Sequence, residues 1–145
     1  MKKVIVIFFI SIIHLFASVN EELVNIYENI FSDLFVGQSK INVYVGDKHY
    51  QDILYGSEKI NIVSDINKAS ICIASTKQEI EFILKKKKDI AIFCTTQKFI
   101  YDYDEIIGAF YWTKGRQQLL FIRSRMDKYY MHLPKDYDNF IIDEL

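Results

Sequence analysis

The chain has 145 residues, with 18 Lys and Arg against 19 Asp and Glu and a net charge of −1. That length holds one core and one domain, and the lack of a basic surplus argues against a nucleic-acid binder. Half of the residues are hydrophobic and 15% are aromatic, so the chain folds and is not a disordered tail.

Residues 1–17 read as a secretory leader. Lys2 and Lys3 form a positive start, Val4 to Ile13 is apolar apart from Ser11, and Leu15-Phe16-Ala17 ends on a small residue. The apolar run is too short for a membrane helix, which needs roughly 20 residues. Cleavage is expected after Ala17, leaving Ser18 at the front, with cleavage after Ser18 second and an uncleaved membrane anchor as the alternative. The expected organisation is a leader, 1–17, and a single periplasmic α/β domain, 18–145.

The domain opens with an amphipathic helix. Asn20 is its expected N-cap, Glu21 and Glu22 suit the positive dipole end, and Gly37 stops it. Leu23, Ile26, Tyr27, Ile30, Phe31 and Leu34 recur at helical spacing. Ile41 to Val45 alternates as a strand and Gly46-Asp47 turns it. His49 to Ser57 reads as a short helix and loop, and Ile60 to Val63 as a second strand. Ala69 to Ser75 is unbroken apolar sequence, which predicts an interior strand covered on both faces.

Thr76-Lys77-Gln78-Glu79 matches a capping box. The helix behind it carries Ile80, Phe82, Ile83 and Leu84 inward and closes on Lys85 to Lys88. Ile90 to Thr95 is another apolar strand, and the strand–helix–strand unit implies parallel neighbours. Gln97 to Glu105 reads as helical or irregular. Gly108 to Thr113 and Arg116 to Phe121 flank Lys114-Gly115, a two-residue hairpin loop. That loop sets Thr113 opposite Arg116, Trp112 opposite Gln117, Tyr111 opposite Gln118 and Phe110 opposite Leu119. Alternation puts Phe110, Trp112, Leu119 and Phe121 on one apolar face, and Tyr111, Thr113, Arg116 and Gln118 on the other. Ser124 caps a short helix through Tyr130, and Pro134 opens a last one. The expected fold is a single-domain α/β mixed sheet of five to six strands with helices on both faces, ending in a hairpin and two short helices.

No catalytic constellation emerges, and the chain is expected not to be an enzyme. His49 and His132 lie far apart, and neither has a second His or a Cys at metal-ligand spacing. Asp102, Asp104 and Glu105 lack the pattern of a calcium loop and read as a solvated turn. No cofactor is expected. Lys85 to Lys88 would suit a lipid headgroup, but four lysines round a helix end complement its dipole without making a focused patch. Cys72 and Cys94 are either bridged or packed as small hydrophobes; their unequal distances from the strand ends strain a bridge. Trp112 is expected in the core. Tyr111 and Arg116, with Lys114 and Gln118 beside them, are the candidate partner contacts.

The order of elements, and above all Ile107-Gly108-Ala109-Phe110-Tyr111-Trp112-Thr113-Lys114-Gly115-Arg116 with Leu120-Phe121-Ile122-Arg123, resembles the YfiR-like family of small periplasmic proteins. The chain departs from that pattern by a tighter hairpin, a shorter middle section, and Arg123 where an Asn is common. The resemblance implies a non-enzymatic regulator. Members look like periplasmic repressors that bind the outer portion of an inner-membrane diguanylate cyclase and hold its output down. The expected partner is therefore the periplasmic domain of such a cyclase or of a histidine kinase, with a homodimer compatible. A second reading from another class is a periplasmic small-molecule sensor, whose crevice at the strand ends Ser75, Thr76, Thr95 and Thr96 would line.

Overall fold

The structure, a computed structural model, describes residues 19–145; the expected leader lies outside these residues. The first helix, α1, is already helical at residue 19 and runs to 34, so Asn20 sits inside it and is not its N-cap. The chain turns away through Gly37, whose φ of 87° is in the left-handed region. β1 (Ile41–Val45), α2 (Lys48–Leu54) and β2 (Ile60–Ile62) follow, and then a 3-10 turn, Ile66–Lys68. β3 (Ile71–Ala74), α3 (Lys77–Lys86) and β4 (Ile92–Cys94) form the expected parallel unit. β5 (Ile106–Thr113) and β6 (Arg116–Ile122) form the hairpin, and α4 (Arg123–Lys128), a 3-10 segment (Lys135–Phe140) and β7 (Ile141–Ile142) complete the domain.

The fold is α/β. One sheet of seven strands has the order β2-β1-β3-β4-β5-β6-β7. The first five are mutually parallel, and β6 reverses. The seventh strand, two residues long, is more than the expected five to six; it is too short to carry a period-two pattern. The last expected helix is the 3-10 segment, with Pro134 as its N-cap.

Each face of the sheet carries its own core. Tyr27, Ile30, Phe31 and Leu34 of α1 and Leu54 of α2 cover Val43, Ile73 and Phe93. Ile80 and Ile83 of α3 cover Cys72, Ala74, Ile92 and Cys94 on the other face. Both faces of β3 and β4 are therefore buried, which is what their unbroken apolar sequence demands. The Thr76–Glu79 capping box is formed, with Glu79 N donating to Thr76 Oγ1 at 3.2 Å. Phe82 is exposed, not inward, because it lies on the far side of α3 from the stripe Ile80–Ile83. Ser124 is also not a cap: α4 begins at Arg123 directly from the strand, with Ile122 as N-cap. Polar links fasten α1 at Glu28 and Asp33, and near its start at Glu22. Ser57 Oγ donates to Glu28 at 2.5 Å, and the Tyr137 hydroxyl donates to Asp33 at 2.7 Å.

Where the parallel sheet meets the hairpin, Phe93, Gly108 and Phe121 lie side by side on β4, β5 and β6. The bare glycine lets the two rings lean over it and stack, with centroids 5.6 Å apart and an interplanar angle of 27°. A Cβ on Gly108 would come within 2.4 Å of Leu120 O and 2.7 Å of the Phe121 ring. Tyr27 and Phe31 of α1 meet Phe93 edge-on, each with centroids 5.9 Å away.

Cys72 and Cys94 are free and buried. Cys72 lies beside Ile92 and Cys94 beside Ala74, so the two thiols are diagonal, two residues out of step. Strand geometry puts such Cα atoms about 8 Å apart, beyond disulfide reach. Burial pushes both thiols up to about 12, with Lys87 partly opposing the shift at Cys72 and Glu79 adding to it at Cys94.

Two outcomes follow from this packing. Gly108→Ala is expected to lose about 1–3 kcal/mol in denaturant unfolding, the cost of overpacking against backbone. The thiols favour the fold in their neutral form, so their contribution is intact below the ordinary thiol pKa and declines as pH rises towards about 12. At neutral pH both are expected to resist alkylation in the native protein and to react fully once it is unfolded, with melting indifferent to reductant.

Candidate functional site

β5 is eight residues long but β4 only three. β4 reaches β5 only as far as Ala109, so Phe110 to Thr113 pair with β6 alone and the hairpin projects past the sheet. Its tip carries Lys114 at φ 51° and Gly115 at φ 75°. Positive φ at both positions makes a type I′ turn, whose twist matches that of the flanking strands. The register is the one expected from the two-residue loop: Thr113–Arg116, Trp112–Gln117, Tyr111–Gln118 and Phe110–Leu119.

The faces are as expected; the depths are not. Phe110 and Phe121 are buried, whereas Trp112 is 56% exposed and not a core residue. It touches Phe110 edge-on at 6.5 Å. With Leu23, Ile26, Tyr50 and Ile53 it then lines a cleft of about 240 Å³ beneath the ribbon. Gln117, opposite Trp112, donates to Glu22 of α1 at 3.3 Å. On the second face Tyr111 is half-buried against the core beneath α3, and not the free contact its register position implied. Lys114, Arg116 and Gln118 are exposed. Among the described residues neither Lys114 nor Arg116 has an acidic partner within salt-bridge distance. The hairpin therefore gathers an exposed indole and two uncommitted cations at one end of the molecule. The sequence carried no signal for this exposure, since Ile90 to Thr95 and Gly108 to Thr113 read as strands of equal length.

The crevice at the strand ends is occupied from within. β1 and β3 are the pair where the order β2-β1-β3-β4-β5 switches direction, the usual ligand position in such sheets. Glu79 lies there, its Cγ 3.0 Å from where a Cβ on Gly46 would stand. Its carboxylate accepts from Ser75 N at 2.7 Å and Thr76 N at 3.3 Å, which takes up the amides a ligand anion would use. Thr95 donates to Ser75 at 2.8 Å, and Thr96 accepts from Lys98 N at 3.2 Å. Asp47 is spent on capping α2. Behind this layer the Tyr27 hydroxyl is fully buried beside that of Tyr50, without a hydrogen bond of good geometry. Burial foremost, and then Tyr50, holds it protonated well above the ordinary tyrosine range.

The other candidates are dispersed. Asp104 meets Arg125 at 3.3 Å, and Arg125 Nη1 donates to the carbonyls of Ile100, Tyr103 and Ile106 at 2.8–3.0 Å. The acidic turn is thus bound to a structural arginine that sequence reading did not single out. Lys87 donates to Ala69 O at 3.4 Å, and Lys86 lies 5.8 Å from the Phe82 ring, so the lysine run diverges. His132 faces Asp127 at 3.6 Å and His49 packs on Tyr50. Among the described residues no three His, Cys, Asp or Glu side chains converge as a metal site, and no helix is long and apolar enough to cross a membrane. No protein-family model, curated protein or solved structure matches the chain.

The exposure of the ribbon reverses the stability order that sequence alone implies. Trp112→Ala is expected to change stability by less than about 1 kcal/mol, since a half-exposed ring gives up little burial. Tyr111→Ala is expected to cost about 1–2 kcal/mol. Denaturant unfolding of the two variants side by side checks the order.

Proposed function

We propose that the chain is a non-enzymatic regulator in the periplasm. It docks its projecting hairpin on the outer portion of an inner-membrane signalling protein, of diguanylate cyclase or histidine kinase type. The observation that carries this reading is the overhang of the ribbon beyond Ala109, which presents Trp112, Lys114, Arg116 and Gln118 clear of the sheet. Tryptophan and arginine are the side chains that most often dominate protein–protein binding energy, and a rigid two-stranded ribbon presents them at low entropic cost. The resemblance in sequence to periplasmic repressors supplies the class of partner. Regulation then works by linkage: the chain holds the sensor in whichever conformation it binds more tightly, and shifts its output by that difference in affinity alone. Closure of the strand-end crevice by Glu79 favours this reading over a small-molecule sensor.

The test pairs Trp112→Ala with Arg116→Ala. The double variant is expected to keep its circular dichroism spectrum. Its affinity for the isolated periplasmic domain of a partner cyclase or kinase from the same cell should fall more than about thirtyfold, the effect of losing one strong anchor. Cyclic-dinucleotide output should rise to the level of a deletion strain. A folded double variant that binds and represses like the parent refutes the assignment.

A further inference from the structure

The cleft beneath the ribbon has aromatic walls and an acidic rim. Trp112 lines it from β5 and Tyr50 from α2, with His49 beside them, and apolar side chains of α1 and α2 make up most of the rest. Both large rings are braced by other aromatics. Trp112 meets Phe110 with centroids 6.5 Å apart, and Tyr50 meets Tyr27 at 5.9 Å and His49 at 5.8 Å. The charged group at the cleft is a carboxylate, that of Glu22, and Glu21 lines the adjoining hollow. Among the described residues neither glutamate has a cation within salt-bridge distance, and no lysine or arginine lines the cleft. Lys48, next to His49 in the chain, is held by Asp52 at 2.5 Å. Glu22 instead accepts from Gln117, the cross-strand partner of Trp112, which ties the carboxylate to the indole side of the cleft.

We propose that this cleft binds a trimethylammonium group, as carried by choline. Aromatic faces attract a cation through the negative face of their quadrupole, tryptophan most strongly, and Glu22 adds a full opposite charge. The lining decides which cation. A primary ammonium, a guanidinium or a metal ion gives up hydration that only several acceptors replace. One carboxylate in a mostly apolar lining is too few for any of these. A quaternary ammonium has no N–H to satisfy and spreads its charge over methyl groups, so apolar side chains suit it as well as the rings do. The volume agrees. About 240 Å³ is less than the roughly 300–1,000 Å³ of pockets for drug-sized ligands, and suits a headgroup with a short tail. The acidic rim also disfavours betaine-type compounds, whose own carboxylate Glu22 repels. The group is the same whether it arrives on free choline or on a phospholipid headgroup.

The inference does not depend on the regulatory reading, and its test involves no sensor. Trp112 is the single tryptophan of the chain, so its emission reports from the site itself. Titrating the purified chain with choline or tetramethylammonium is expected to shift that emission saturably. The neutral analogue of choline, with carbon in place of nitrogen, is expected to leave it unchanged at the same concentrations. By calorimetry, Glu22→Gln and Trp112→Leu are each expected to weaken choline binding about tenfold or more, with unchanged circular dichroism. Vesicles of phosphatidylcholine, set against vesicles of phosphatidylglycerol, separate the two sources. Binding to the former without binding of free choline assigns a lipid headgroup, and binding of free choline alone assigns a solute; either supports the proposal. No saturable response in either arm overturns it, as does an equal response to the neutral analogue or an affinity indifferent to both substitutions.

Discussion

The stack of Phe93 on Phe121 across Gly108 is the contact on which the domain's two halves depend. On one side lies a parallel sheet built from crossover units, on the other an antiparallel hairpin. The two meet only along β4 and β5, over a short and irregular register that shifts between Ile92 and Phe93. Three residues of β4 offer few backbone bonds to hold an eight-residue strand. The rings supply the missing cohesion, and they reach each other only because the strand between them carries no side chain at that point. α1 then packs Tyr27 and Phe31 on the same ring, so the helix, the parallel sheet and the hairpin converge on one aromatic cluster.

That anchoring explains how the hairpin is both rooted and free. Its base is fixed by Phe110 and Phe121 in the first core and by Ile106 and Ala109 in the second. Its outer half outruns the neighbouring strand β4, while Trp112 and Gln117 still reach the start of α1. A two-stranded ribbon alone is marginally stable, so the outer half draws on the type I′ turn and on the contact of Gln117 with Glu22. What projects is consequently ordered, narrow and amphipathic, with an indole on one face and cations at the tip.

The opposite conclusion holds for the strand-end crevice, the place where a sheet of this order most often binds a ligand. Glu79 closes it as a by-product of helix capping. The carboxylate that completes the capping box also satisfies the amides of Ser75 and Thr76 and packs its methylenes on Gly46. The hydroxyl of Thr95 is spent on Ser75. The same residues that suggested a binding crevice in the sequence are satisfied by one another.

Local pattern was sufficient for most of the fold. The unbroken apolar runs ending near Ala74 and Cys94, the capping box at Thr76, and the Lys114-Gly115 turn each encode their element through nearest-neighbour sterics and hydrogen bonding. The hairpin register followed from loop length because side-chain alternation leaves no freedom once the turn is set. Depth was not legible in the same way. Periodicity says which face a side chain takes but not whether another element lies above it. Trp112 and Phe82 were therefore assigned to the right strand face and the right helix, yet to the wrong surroundings. β7 and Arg125 share that dependence on distant sequence, one needing β6 as a template and the other three carbonyls of a loop some twenty residues earlier. The sequence by itself determined the elements and their order, because those rest on interactions within a few residues. Only the tertiary structure decided that β5 outlasts β4, and with it that Trp112 meets solvent, because exposure is set by the lengths of strands that are neighbours in space and not in the chain.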